Sequence, residues 1–193
     1  MGKKPESNFV NMFVRLLVIV IIAGGLLGVV YTQTYDVIAA AKQKKLEAAI
    51  GYVVPVFDTL NTFKVMPATG KDSLTFYEAY NGDSLVGTAV KTYTDKGFGG
   101  RFNLMIGFSP EGVILNTAVL DHKETPGLGD KMDVKKSDFS VQFKGKNPAT
   151  YKLKVTKDGG DVDAITAATI SSRAFCDATQ RAYDALKSKG GIK

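Results

Sequence analysis

The rhythm of apolar and polar positions changes three times along the chain. Residues 16–31 are all apolar or glycine. With Met12, Phe13 and Val14, and with Arg15 snorkelling to the interface, the run reaches about 20 residues, or about 30 Å of helix, enough for a bilayer core. A core helix of this length would show a polar face, and this run has none. A cleaved signal peptide needs a small-residue site directly after the apolar run. Ala39-x-Ala41 lies beyond the polar residues 32–36 and is too far downstream. The run is therefore predicted to be an uncleaved, single-span membrane anchor. Residues 35–50 are rich in Ala, Lys and Leu, which predicts a helical stalk continuing the anchor. Residues 53–70, interrupted by Pro55, are predicted as irregular connection.

A strand rhythm follows. Residues 74–80 are aromatic and β-prone, Asn81-Gly82-Asp83 is a turn signal, and residues 85–93 form the return strand. Residues 94–100 break the pattern with three glycines. They lack the Lys-Ser/Thr of a phosphate loop and the later glycine of a dinucleotide fingerprint, so a bulge or turn is expected. Residues 101–108 and 113–120 make a second hairpin around Ser109-Pro110-Glu111-Gly112. Residues 131–147 are loosely patterned, anchored by Phe139 and Phe143. Residues 151–155 alternate and are predicted as a strand. Helical spacing returns at 171–187, where Ala174, Phe175, Ala178, Ala182, Ala185 and Leu186 form an apolar stripe and Gly190-Gly191 ends the helix. The expected fold class is α+β: a single N-terminal transmembrane helix, then a twisted antiparallel sheet packed by helices. The expected segments are 1–34, tail and anchor; 35–70, helical stalk and connection; and 71–193, a globular domain.

Composition narrows the function classes. The 193 residues, 45% hydrophobic and 23% charged, suit one globular domain with a short appendage. The net charge of +6 comes from dispersed lysines. No basic helix with stacking aromatics stands out, which argues against a nucleic-acid partner. Cys176 is the only cysteine and His122 the only histidine, which excludes a disulfide framework and a multi-cysteine metal site. Residues 158–163 look superficially like a calcium loop but lack the regular acids and terminal Glu of an EF-hand. No metal site is expected. Lys3, Lys4 and Arg15 precede the apolar run, and Lys42, Lys44 and Lys45 follow it, so positive charge alone leaves the orientation open. Short N-terminal tails usually stay inside, which places the bulk of the chain outside the cytoplasm.

Two stretches carry candidate chemistry. Asp163-Ala164-Ile165-Thr166-Ala167-Ala168-Thr169 sets two hydroxyls among small residues just before the last helix. A helix start offers free N–H groups and a positive dipole end, a natural seat for phosphate. Thr and Ser also cap helices for purely structural reasons, and spacing alone leaves both readings open. The second stretch, Asp121 to Asp130, contains a Pro126-Gly127 turn and a lone His beside acids, which by itself is most simply a solvated surface group.

The first stretch resembles the flavinylation motif of the covalent FMN-binding subunits of Rnf-type and Na+-translocating NADH:quinone oxidoreductase complexes. Asp163, Thr166, Ala168 and Thr169 match it position by position. Ala167 stands where the family usually has Gly, adding a methyl at what is expected to be a close-packed point. His122-Lys123-Glu124-Thr125-Pro126-Gly127-Leu128-Gly129 resembles the family's second signature. The compact domain favours the Rnf branch over the quinone-reducing one.

The resemblance implies a membrane-anchored electron-transfer subunit with FMN held through a phosphoester to Thr169. Asp163, Thr166, Ala167, Ala168, Ile170 and Ser171 would surround the attachment point. Glu124, Thr125, Gly127, Leu128 and Gly129 would neighbour the flavin, with backbone N–H groups toward its polar edge, an apolar contact from Leu128, and His122 orienting the loop. It further implies a flavin transferase that uses FAD during maturation, partner membrane subunits of a translocating oxidoreductase, and a single pass through the bacterial cytoplasmic membrane with an extracytoplasmic domain. No residue of this chain is implied as catalytic on its own. Two readings compete: a membrane-tethered module of the same fold without flavin, and a free-standing flavin reductase, against which the missing nicotinamide fingerprint argues.

Overall fold

Helical hydrogen bonding starts at Phe9 and runs to Val53 in the computed structural model, which describes residues 8–190. Lys3, Lys4 and Gly191 lie outside the described residues. The chain divides into two units, Met1–Lys44 and Lys45–Lys193. Helix α1 (Phe9–Val53) begins in the first and there exposes its apolar side chains, Leu16, Leu17, Ile19, Ile22, Leu26 and Val30 among them. An all-round apolar helix is not stable in water and needs lipid or protein around it. It is long and apolar enough to cross a membrane. Where the apolar run ends, the rings of Tyr31 and Tyr35 pair at 5.8 Å, and the Thr34 hydroxyl donates back to the Val30 carbonyl at 2.8 Å. Amphipathic rings at that position suit a membrane interface.

In the second unit five strands follow one another as an antiparallel meander: β1 (Thr59–Val65), β2 (Leu74–Asn81), β3 (Ser84–Gly97), β4 (Gly100–Phe108) and β5 (Ile114–Asp121), in the spatial order β1-β2-β3-β4-β5. Alternation sends the two faces to separate cores. Phe76, Val90 and Ile106 stand side by side on one face, under helix α2 (Thr169–Ser188). Tyr77, Ala89 and Gly107 are their neighbours on the other, where Ala49, Ile50 and Val53 of the last turns of α1 cover the sheet. Small residues on β3 and β4 make room there: a side chain at Gly107 would run into the Val53 backbone. The Lys45 ammonium donates to the Leu120 carbonyl at 2.5 Å.

The predicted hairpins hold, as does the final helix, whose stripe residues Ala174, Phe175, Ala178, Ala182, Ala185 and Leu186 are all buried. Two expectations fail. Residues 59–65, expected as irregular connection, form edge strand β1 against β2. Its side chains are mostly exposed, so no buried face imprinted a strand rhythm on the sequence. Residues 151–155 do not form a strand; only Val155 bridges, to Val162. The chain turns back at Gly159 and Gly160, and a side chain at Gly160 would strike the Lys154 backbone, so the segment pairs with its own continuation.

Helix α2 is fastened to β3 by a polar row. Thr92, Thr94 and Lys96, on one face of the strand, donate respectively to the Ala178 carbonyl at 3.0 Å and to the Asp177 carboxylate at 3.0 and 2.6 Å. Arg181 pairs with Asp177 at 2.8 Å, donates to the Thr69 carbonyl at 2.9 Å, and also donates to the Tyr93 carbonyl. The row sets the axial position of α2, and with it the position of its N-terminus.

Candidate functional site

Three segments meet at one buried carboxylate. Glu124, only 5% exposed, accepts a hydrogen bond from the Gly99 N–H at 3.0 Å through Oε1 and from the Ser171 hydroxyl at 2.5 Å through Oε2. Gly99 belongs to the turn between β3 and β4, Glu124 to the loop after β5, and Ser171 to the first turn of α2. The glycines exist for this convergence. A side chain at Gly97 or Gly129 would press on the Glu124 carboxylate, and one at Gly99 would enter the Lys123 backbone. The glycine-rich turn, expected from sequence to be a bulge or turn, is one, with Gly97 and Gly100 paired across it.

The loop after β5 is shaped locally. His122 Nδ1 accepts from the Glu124 N–H at 3.2 Å, so His122 orients the loop. Pro126 and Gly127, with φ 78° at the glycine, form a turn closed by the Leu128 N–H donating to the Thr125 carbonyl at 3.2 Å. The N–H groups of Thr125, Gly127 and Gly129 have no acceptor among the described residues. Leu128 is 40% exposed.

The turn ahead of α2 is built from backbone outward. Ser172 Oγ accepts from the Ile165 N–H at 2.9 Å and donates to the Ala168 carbonyl at 3.0 Å, closing residues 165–168 against the helix. The Ala168 N–H donates to the Ile165 carbonyl at 3.0 Å. Gln142 holds the stretch from the other side: its carbonyl accepts from the Asp163 N–H at 2.8 Å and its amide donates to the Asp163 carbonyl at 3.1 Å. Thr166 and Ala167 are left exposed. Ala167 has φ 62°, alone among the described non-glycine residues in being left-handed. The crowding expected at Ala167 is absent. What its side chain meets is a backbone conformation that favours glycine.

Thr169 opens α2. The cap residue, Ala168, offers no side-chain hydrogen bond, so the structural capping reading fails for Thr169, which lies inside the helix. The first-turn N–H groups therefore point off an uncapped end. The Thr169 hydroxyl, half-buried, has no partner among the described residues. A cleft of about 430 Å³, lined by Lys131, Asp138, Gln142, Asp163 and Thr166, opens along the earlier part of this turn and does not include Thr169. An uncapped helix start beside a free hydroxyl fits a phosphate ester.

The structure thus brings both sequence signatures together. Sequence reasoning missed Gly99, Ser172 and Gln142. Only the glycine density around position 99 carried a signal; Ser172 and Gln142 act through side-chain hydrogen bonds to the backbone that leave no pattern in the sequence. Nearby acids have structural work: Asp158 pairs bidentately with Arg173 at 2.7 and 2.8 Å, and Asp161 accepts from the Lys152 N–H at 2.7 Å. Cys176 is buried, and burial pushes its thiol up to about 12, which leaves it an unreactive core residue.

Residues 97–184, from the glycine turn to the body of α2, match the family described as FMN-binding domain. Fold and site define an FMN-binding domain behind an apolar N-terminal helix. The G subunit of the ion-translocating oxidoreductase complex of Shewanella oneidensis is 33% identical over 178 residues, spanning 86% of this chain and 84% of that protein. The protein of the same name from Vibrio vulnificus is 33% identical over 171 residues, 83% of this chain and 81% of its own length. That of Erwinia tasmaniensis is 40% identical over 108 residues, 54% of this chain and 51% of its own. The chain belongs to the family of ion-translocating oxidoreductase complex G subunits.

Proposed function

We propose that this chain is the membrane-anchored, FMN-carrying electron-transfer subunit of an Rnf-type complex, with FMN joined to Thr169 by a phosphoester. The observation that carries this reading is the unpartnered Thr169 hydroxyl at the uncapped start of α2, inside a segment that matches an FMN-binding family. The helix end stabilises the phosphate, and the free N–H groups of Thr125, Gly127 and Gly129 suit the polar edge of the ring. Bound FMN supplies electron uptake and release, one or two at a time.

Maturation uses a separate flavin transferase and FAD. Thr169 Oγ bonds to the phosphorus of the FMN half, the bond to the AMP half breaks, AMP leaves, and the hydroxyl proton passes to a base of the transferase. Residues 1–34 anchor the chain, 35–70 connect, and 71–193 carry the flavin outside the cytoplasm. Partner membrane subunits accept its electrons, and translocation of Na+ or H+ belongs to the assembled complex.

Intact mass tests the attachment. Chain purified from its own membranes should carry the mass of FMN less one water, and Thr169→Val should not. Native material without added mass would refute the covalent reading and favour a flavin-free module.

A further inference from the structure

Phe98 is 69% exposed, in a turn where nothing else has a side chain: Gly97, Gly99 and Gly100 surround it. An exposed aromatic ring on a loose loop would mean little. This turn is not loose. It is locked by the Gly99 N–H on Glu124 Oε1, by the pairing of Gly97 with Gly100, and by contact of Gly99 with the Lys123 backbone that admits no Cβ. The same Glu124 holds Ser171, two residues after Thr169. Three exposed apolar side chains thus come from the three segments gathered at Glu124: Phe98, Leu128 at 40% and Ile170 at 48%. The segment matching the FMN-binding family begins at Gly97, one residue before Phe98.

We propose that Phe98 is an aromatic wall of the flavin seat, and that Glu124 is the positioning residue that holds this wall at a fixed distance from the attachment turn. The occupant is the isoalloxazine ring of the FMN on Thr169, so the proposal rests on the reading above. A ring tethered at the α2 N-terminus has Leu128 and Ile170 as aliphatic neighbours, and Phe98 offers the π-face against which a flat aromatic system stacks. Glu124 acts without touching the flavin. Its two carboxylate oxygens take one bond from each flanking segment, and a side chain cut back to a methyl group takes neither.

The test uses the full-length chain matured in its own membranes, compared with Phe98→Ala, Phe98→Trp, Glu124→Ala and Thr169→Val. Intact mass reports attachment; the visible spectrum and flavin fluorescence report the ring's surroundings. Phe98→Ala should retain the FMN mass while its visible bands shift, as the ring loses its stacked neighbour. Phe98→Trp should keep the mass and quench the fluorescence below wild type, because an indole against the excited flavin gives it an electron and a phenyl ring does not. Glu124→Ala should keep the mass and shift the bands in the same direction as Phe98→Ala. Full mass with an unchanged spectrum in Phe98→Ala, or with unchanged fluorescence in Phe98→Trp, would overturn the proposal. If Phe98→Ala also lost co-purifying membrane subunits, Phe98 would belong to a protein contact instead. If Phe98→Ala fails to fold, Phe98→Trp decides. Wild type without FMN mass would remove the reading beneath the proposal, a failure distinct from the spectral one.

Discussion

At Ala167 one methyl group works against the backbone. A left-handed conformation costs an L-residue about 1–2 kcal/mol, and glycine gives back part of that advantage through its larger loss of entropy on folding. Ala167→Gly should therefore raise stability by about 0.5–1 kcal/mol, read as a higher denaturant midpoint at unchanged slope. An unchanged or lower midpoint would mean that the strain is relieved elsewhere. Ser172 presents the opposite case. Ser172→Ala leaves the Ile165 N–H buried without its acceptor, at a cost of about 1–3 kcal/mol, and loosens the turn that presents Thr169. The variant should lose stability and carry a smaller flavinylated fraction by intact mass; full flavinylation would show that the turn forms without Ser172. The two signatures were legible in sequence because each is contiguous. The carboxylate joining them was not. Glu124 reaches partners 25 and 47 positions away, and nothing local in any of the three segments names the other two.

Among the elements, helix α2 depends on Asp177. Burial alone would raise its carboxyl, but hydrogen bonds from Lys96 and Thr94 and the charge of Arg181 outweigh burial and hold it below the ordinary carboxylate range. A depressed folded value means that the contribution is fully present above the unfolded Asp value of about 4 and is lost as pH falls through the lower folded value. Asp177→Asn should destabilise the domain by about 2 kcal/mol at pH 7, because the buried Arg181 loses its counter-charge. The gap from wild type should shrink toward pH 3. Urea midpoints at the two pH values decide; an equal gap at both would show that the charge is immaterial. Elements with a buried face could be read from the sequence: both hairpins and α2 carry a periodicity imposed by the core. Strand β1 escaped because its exposed face needs no pattern, and residues 151–155 misled because alternation there serves a local turn-back through Gly160 instead of the sheet.

For the whole molecule the proposed extracytoplasmic domain is the prediction to test, since lysines flank the apolar run at both ends. The chain provides its own assay. Its single thiol, Cys176, is buried and held protonated, so it stays silent toward maleimides in the folded protein. Asp83, in the exposed turn between β2 and β3, is far in sequence from every residue of the site and contributes nothing to the core. Asp83→Cys therefore adds one reactive thiol without disturbing the fold. A membrane-impermeant maleimide applied to intact spheroplasts should label this variant fully, and lysis should add no further signal. Labelling that appears only after lysis would place the domain in the cytoplasm. A flavin there could be replaced from the cytoplasmic pool if lost, so the physical reason for the covalent tether proposed at Thr169 would weaken together with the topology.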